Sequence, residues 1–419
     1  MTPRLPYRAG QRTEQFEQFF SFERGPEPVP RNTAARDLTN DPKFLFRLGN
    51  KIEELGVVAE KTNRLIVPLA CVTAFLKNKV SVLITGPSGC GKSTIPEIIT
   101  RLLPPEMVLK RVGFSQKALV YGQGSLDGKV LYVLEYRGGR EAQALLRGLQ
   151  SEGELAYERT VGRGTEVAER VGSPVVLTTT TAQKILEDDS TRFLTLRASE
   201  APEKILAVLK NAIGTTRTAQ EEPPVLVWQE AFRLLRSRAE RSIQFPTYLE
   251  FVAERLPHHD VRVQRDWKRF LALLQAVALC RPQKGSNPEI TLADYCVAHR
   301  ILNSAFTATS HGVSENEIAI QKAVKRLAGG ETRQPVMIKD IRNELSWTDS
   351  MAYKFVRMAA EHGLVEYEPG TRERNVKRVL ATDRAAGDFL PSPRKVLEHF
   401  GESSVEHIDP LSGKLKQTV

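Results

Sequence analysis

The sequence predicts an α/β fold: a parallel sheet wrapped by helices, then an all-helical stretch, then a small unit of short helices and strands. Three observations lead there. Residues 80–84 (Val-Ser-Val-Leu-Ile) are a short, β-branched apolar run that leads into Gly86-Pro87-Ser88-Gly89-Cys90-Gly91-Lys92-Ser93, and Ile95, Ile98 and Ile99 then begin a helical pattern. Beyond that helix, extended runs alternate with helical ones as far as about residue 200, which implies a parallel sheet with crossover helices. From about 220 to 310 the apolar spacing is helical throughout.

The chain of 419 residues is long enough for two or three domains. Lys and Arg number 60 against 50 Asp and Glu, a net charge of +10. That excess suits a polyanionic partner such as nucleic acid and equally suits a solvated surface. Cys71, Cys90, Cys280 and Cys296 form no C-x-x-C pair, so they read as reduced thiols of a cytoplasmic protein rather than a zinc site or a disulfide framework. No apolar run is long enough to span a membrane, and the N-terminus lacks the apolar core of a signal peptide.

Taken in order, residues 1–40 are rich in Arg, Pro, Gln and Glu, interrupted by Phe16, Phe19, Phe20 and Phe22. They read as a flexible arm. Asp41-Pro42 opens a helix with apolar residues at Phe44, Leu45, Leu48, Ile52 and Leu55, and a second helix covers about 64–77. Pro104-Pro105 stops the helix after the glycine-rich loop. Strands are expected at 107–112, 129–134, 174–178 and 193–196, and a helix at 140–152. Runs 155–161 and 165–171, separated by Gly162-Arg163-Gly164, read as a hairpin. Helices at 228–242, 246–256, 265–279 and 292–306 follow. Residues 313–382 shorten to three helices and a two-stranded wing, and 383–419 are a polar tail with one short helix near 393–400. The expected division is 1–40, 41–218, 219–312, 313–382 and 383–419.

The glycine-rich loop matches the spacing G-x-x-x-x-G-K-[ST] in its strand–loop–helix setting. Glycines let consecutive N–H groups face a phosphate at a helix N-terminus. The segment from Gly86 to Thr94 is therefore the expected nucleotide cradle for ATP, with Lys92 on the β/γ-phosphates and the Ser93 hydroxyl on Mg²⁺. Such a site needs a carboxylate at a neighbouring strand end to polarise the attacking water, and Glu135 occupies that position. The residue before it is Leu134 rather than Asp, which leaves Mg²⁺ to Ser93, the phosphates and water, or to an acid elsewhere such as Asp127. Within the run from Thr178 to Thr181 a hydroxyl could orient the water, or these are simply strand residues. Arg192 could act across a subunit boundary on the transition state, or pair with Asp188 or Asp189.

Together these residues resemble the AAA+ ATPases of the helicase branch. Residues 131–181 look like the minichromosome maintenance helicases: a strand ending in Glu135, a helix, a hairpin inserted before the sensor strand, and that strand. The resemblance implies that Thr180 is the sensor-1 residue, that Thr191-Arg192-Phe193 carries the arginine finger, that Arg265 is the sensor-2 arginine, and that 219–312 is a helical lid. Residues 50–310 also resemble ATPase modules of phage and mobile-element replication proteins, through Lys117 to Tyr121, the lone Glu135, Leu177 to Thr181, and Arg262 to Asp266. No primase segment is evident, so priming would fall to a separate protein.

Two elements are expected to touch DNA. In a ring, hexameric by resemblance, the hairpin would bring Arg163 at its tip and Arg159 on its strand towards a central strand. The pattern of 313–382 is that of a winged helix-turn-helix, whose third helix would present Tyr353, Lys354 and Arg357 outward, with Arg372 and Arg374 on the wing. The expected function is an ATP-driven, ring-forming DNA translocase, a replicative helicase of a phage or mobile element acting on a single strand or fork. The alternatives are an ATP-switched initiator or loader, and an AAA+ remodeller acting on protein.

Overall fold

The computed structural model describes residues 31–111, 124–134, 148, 154–161, 164–181, 192–213, 223–241, 243–256, 262–283, 287–311, 315–329, 334–368, 378–382 and 389–419. The chain begins with helices α1 (Arg31–Thr39), α2 (Phe44–Glu54) and α3 (Asn63–Val72). A five-stranded sheet follows, built from β1 (Val82–Thr85), β2 (Val108–Arg111), β3 (Val130–Val133), β6 (Val175–Thr180) and β7 (Leu194–Arg197). Helix α4 (Thr94–Leu102) links β1 to β2, and the hairpin β4 (Glu154–Val161) and β5 (Gly164–Val171) precedes β6.

The sheet order is β2-β3-β6-β1-β7 and every pairing is parallel. Strand β1 lies between β6 and β7, and Val82, Leu83 and Ile84 are buried. A parallel strand covered on both faces must be apolar along its length, which is why 82–84 read as an unbroken run rather than an alternating one. Strand β6 is buried from end to end. The hairpin pairs Glu154 with Val171 through to Val161 with Gly164, and its tip residues Gly162 and Arg163 lie outside the described residues.

Helices α5 (Pro202–Ala212), α6 (Val225–Ala239), α7 (Tyr248–Glu254), α8 (Val263–Leu279) and α9 (Leu292–His311) come next. They do not bury a core of their own. One apolar cluster runs from Ala35 through the sheet to Phe306 and takes in Phe389, Leu390 and Val396. Trp228 of α6 packs on Phe44 of α2 with ring centroids 5.4 Å apart. The lid boundary expected at 219 therefore crosses a shared core.

A second, separate core is formed by α10 (Glu315–Leu327), β8 (Val336–Met337), α11 (Ile338–Leu345), α12 (Asp349–Glu361), β9 (Val365–Tyr367) and β10 (Arg378–Ala381). Its three strands are ordered β8-β10-β9 and are antiparallel. Helix α12 buries Ala352, Phe355, Val356 and Ala359, the face its 3.6-residue period predicts, and Thr348 caps it by accepting the Met351 N–H at 3.3 Å.

Two expectations at the ends of the chain are corrected. Residues 31–39, expected within a flexible arm, are helix α1, whose Ala35 and Leu38 are buried and which packs along α6. The tail carries α13 (Pro393–Phe400), close to where a short helix was expected, and then a hairpin of β11 (Val405–Ile408) and β12 (Leu415–Thr418). Phe389 stacks on Phe306 at 5.4 Å, and Tyr295 donates to the Pro391 carbonyl at 2.7 Å. Among the described residues no helix is long and apolar enough to cross a membrane.

Candidate nucleotide site

The loop between β1 and α4 leaves the carboxyl edge of the sheet, where ligands of open parallel sheets bind. Gly86 has φ 150°, and Gly89 and Gly91 both have φ 82°, conformations that L residues rarely adopt. A Cβ on Gly86 would stand 2.8 Å from Cys90 Sγ, so a side chain there would have to displace the thiol. Lys92 is buried, and its Nζ donates to the Pro87 carbonyl at 2.6 Å, which holds the ammonium within the curl. Ser93 opens α4 and is exposed. A backbone curl, an enclosed ammonium and a helix N-terminus together fit a polyphosphate, and the open Ser93 hydroxyl suits Mg²⁺. Among the described residues no three His, Cys, Asp or Glu stand together as metal ligands.

Thr85, the last residue of β1, is in register with Thr180 on one side and Arg197 on the other. Thr180 is buried, and its register with Thr85 puts it at the edge from which the loop departs. Thr179 Oγ1 donates to the Leu134 carbonyl at 2.7 Å, tying the end of β6 to the residue after β3. Glu135 lies just beyond, outside the described residues. With β6 between them, the ends of β1 and β3 are ~10 Å apart, room for a terminal phosphate and a water. Tyr132, inside β3, has its phenol pushed up to about 12 by burial and by Glu97, so it stays neutral; its hydroxyl reaches the Ser93 carbonyl at 3.5 Å.

A cleft of about 570 Å³ opens beside the loop. Besides loop residues it is lined by Val57 and Val58, by Ile205, Val208 and Leu209 of α5, and by Met351 of α12. Residues 30–237 match the family described as "MTBMA_p00010 P-loop domain". That match and the parallel five-stranded sheet fit a P-loop α/β fold. No curated protein matches the chain. Among solved structures, a full-length MCM homolog from Methanopyrus kandleri is similar over 68% of this chain and 63% of its own, at 15% identity and TM-score 0.44. This chain thus spans less than two thirds of that protein. A Cytophaga hutchinsonii protein proposed to be an ATPase is similar over 69% of this chain and 92% of its own, at 14% identity and TM-score 0.35.

The P-loop domain does not gather every expected residue at the loop. Arg192 precedes β7, whose other end, Arg197, pairs with Thr85 beside the loop. The strand itself, Leu194–Arg197, spans ~10 Å, and Arg192 lies in the turn before it, towards the opposite edge of the sheet. Arg265 is exposed in the first turn of α8 and does not line the cleft. Its neighbour Asp266 is wholly buried and pairs with Arg262 at 3.3 Å and Arg269 at 2.8 Å, so the Arg-x-x-Arg-Asp turn centres on a buried carboxylate.

Lys354 is exposed, as its place on the outward face of α12 predicts, and its ammonium also stands 3.7 Å from Glu200 just after β7, while Met351 of the same helix lines the cleft. Arg197 also lies over the Phe355 ring at 5.3 Å, so both units contribute to the contact. Arg357 is exposed and pairs with Glu361 one turn on, at 3.8 Å. Arg159 lies on β4 opposite Glu166. Thr191, Arg163, Arg372, Arg374 and Lys117 to Tyr121 lie outside the described residues.

Sequence reasoning missed Glu60, Lys204, Glu200 and Met351. Each belongs to the site through packing between distant segments, and none lies in a recognisable spacing. The one signal available was the acidic and basic flanking of the aliphatic run in α5, which reads as an ordinary amphipathic helix.

Proposed function

We propose that the chain is an AAA+ ATPase that hydrolyses ATP and acts on DNA as a ring-forming motor. The observation that carries this is the closed loop from Gly86 to Ser93 around the Lys92 ammonium, at the carboxyl edge of a sheet in which β6 separates the P-loop strand from the Glu135 strand. ATP lies with its phosphates in the loop and its base against Val57, Val58 and the aliphatic residues of α5. Lys92 binds the β/γ-phosphates and Glu135 polarises a water for in-line attack on the γ-phosphate. Mg²⁺ on Ser93 supplies charge neutralisation when bound.

The far-edge position of Arg192 supports a role in a neighbour's site, because it stands away from its own loop. Arg265 takes the same trans role. Three helices with the strand order β8-β10-β9 support a winged helix-turn-helix in the C-terminal unit. The hairpin residues 154–171, with Arg163 at the tip, serve as the strand-gripping element, and a separate primase supplies primers if this is a mobile-element replication protein. The test is ATP-dependent separation of a forked duplex. The proposal expects unwinding by the wild type, and binding without unwinding by Arg163→Ala. Absence of both DNA binding and self-association would defeat it.

One observation favours a second reading, a nucleotide-switched DNA-binding module. Helix α12, the element expected to read DNA, meets Glu200 and lines the nucleotide cleft. ATP turnover without strand separation, together with DNA affinity that changes between ADP and ATP, would select it.

A further inference from the structure

The P-loop is held from outside by a charged pair that its motif does not contain. In α5 the buried residue is Lys204, 6% exposed, whereas Ile205, Leu206, Val208 and Leu209 are 47–61% exposed. A helix that buries its ammonium and leaves its aliphatic residues in the open inverts the usual pattern, so this lysine sits where it does for what it touches. Its Nζ pairs with Glu60 and donates to the Cys90 carbonyl at 2.8 Å.

Glu60 is itself fully engaged. It is 4% exposed and accepts the Ser199 N–H at 2.9 Å and Asn63 Nδ2 at 2.8 Å. Asn63 also donates to the Arg197 carbonyl at 2.9 Å. The residue before Glu60, Ala59, has φ 58°, a left-handed conformation that is strained for a non-glycine residue. Strained backbone, a buried carboxylate and a buried ammonium thus converge on one carbonyl of the loop.

That carbonyl belongs to the peptide between Cys90 and Gly91. Gly91 has φ 82°, and a glycine on that side leaves the peptide less resistance to rotation than a residue with a side chain would. In a trans peptide the C=O and the following N–H point in opposite directions. Drawing the Cys90 carbonyl towards α5 therefore turns the Gly91 N–H towards the inside of the curl.

We infer that Lys204, fixed by Glu60, is a positioning residue that locks the Cys90–Gly91 peptide with its N–H aimed at the bound phosphates. This rests on reading the loop as a nucleotide site. The experiment measures the affinity of N-methylanthraniloyl-ADP with Mg²⁺, beside the melting temperature, for the wild type, Lys92→Ala, Lys204→Arg and Lys204→Met/Glu60→Gln. The double variant removes both charges, and so avoids an unpaired buried carboxylate; the introduced amide oxygen accepts the Ser199 N–H, and Asn63 Nδ2, which loses its acceptor on residue 60, keeps the Arg197 carbonyl. It is expected to melt near the wild type and to bind the nucleotide roughly tenfold more weakly. Lys204→Arg, which still donates to the Cys90 carbonyl, is expected to bind within about threefold of the wild type. Wild-type affinity in the double variant would overturn the inference while leaving the site reading intact. Failure of the wild type to bind, or equal binding by Lys92→Ala, would overturn the site reading and the inference with it.

Discussion

Gly86→Ala tests how tightly the loop is closed. A Cβ there meets Cys90 Sγ at 2.8 Å, with Ala198 Cβ at 3.5 Å and Lys92 Cδ at 3.7 Å, and the backbone is at φ 150°. Two costs follow. The backbone conformation costs an alanine ~1–3 kcal/mol. The overlap with sulfur adds ~1–2 kcal/mol, because the Cys90 thiol must leave its rotamer to make room. Gly86→Ala should therefore lose ~2–5 kcal/mol of stability in the P-loop domain and at least about tenfold in ADP affinity. Cys90→Ala removes the sulfur but not the backbone strain. In a double-mutant cycle the two substitutions should couple by ~1–2 kcal/mol, with Gly86→Ala milder in the Cys90→Ala background. Urea unfolding and nucleotide titration of the four proteins give the cycle. Additive effects within about 0.5 kcal/mol would refute the steric part. Wild-type ADP affinity in Gly86→Ala would refute the whole argument that this curl is the phosphate cradle.

Other expectations follow from the same geometry. A Cβ on Gly413, at φ 66°, would stand 2.6 Å from the Phe46 ring, so Gly413→Ala should cost ~2 kcal/mol or more in thermal or urea unfolding by lifting the C-terminal hairpin from α2. Asp409 is a pH-dependent anchor of that hairpin. Burial resists its ionisation, but Lys416, the Leu411 N–H and Arg300 outweigh burial and hold its carboxyl below the usual range. Its contribution is whole above the unfolded pKa of ~3.9 and is lost as pH falls through the lower folded value. The protection of residues 405–418 against hydrogen exchange should fall below about pH 4 in the wild type, and Asp409→Asn should lose it at neutral pH as well. Arg192→Ala should bind ADP normally yet lose ATP turnover. Mixing it with Lys92→Ala should restore part of that turnover, because each chain would supply what its neighbour lacks.

The nucleotide site was legible where one short segment carries both backbone shape and chemistry. From Gly86 to Ser93 the glycine spacing dictates the curl and Lys92 fills it, so no distant contact is needed to see it. Helix α12 was legible for a similar reason: Ala352, Phe355, Val356 and Ala359 recur at the helical period on the face that is buried. Helix α1 was not, because Arg31–Thr39 is polar overall and gives the core little more than Ala34, Ala35 and Leu38. The hairpin at 405–418 was missed because its strands, such as Leu415–Thr418, are largely exposed and show no apolar alternation. Glu60 and Lys204 were invisible for another reason. Charged residues far apart in the chain read as surface, and only the meeting of the turn before α3 with α5 buries them together. The packing of Trp228 on Phe44 was likewise not legible, because the two residues lie far apart in the chain.

Phosphate release from ATP, measured with and without single-stranded DNA for the wild type and Lys92→Ala, tests the central claim most directly. The account predicts turnover by the wild type that rises with DNA and vanishes in Lys92→Ala. Turnover that is indifferent to DNA and unchanged by loss of the Lys92 ammonium would contradict it.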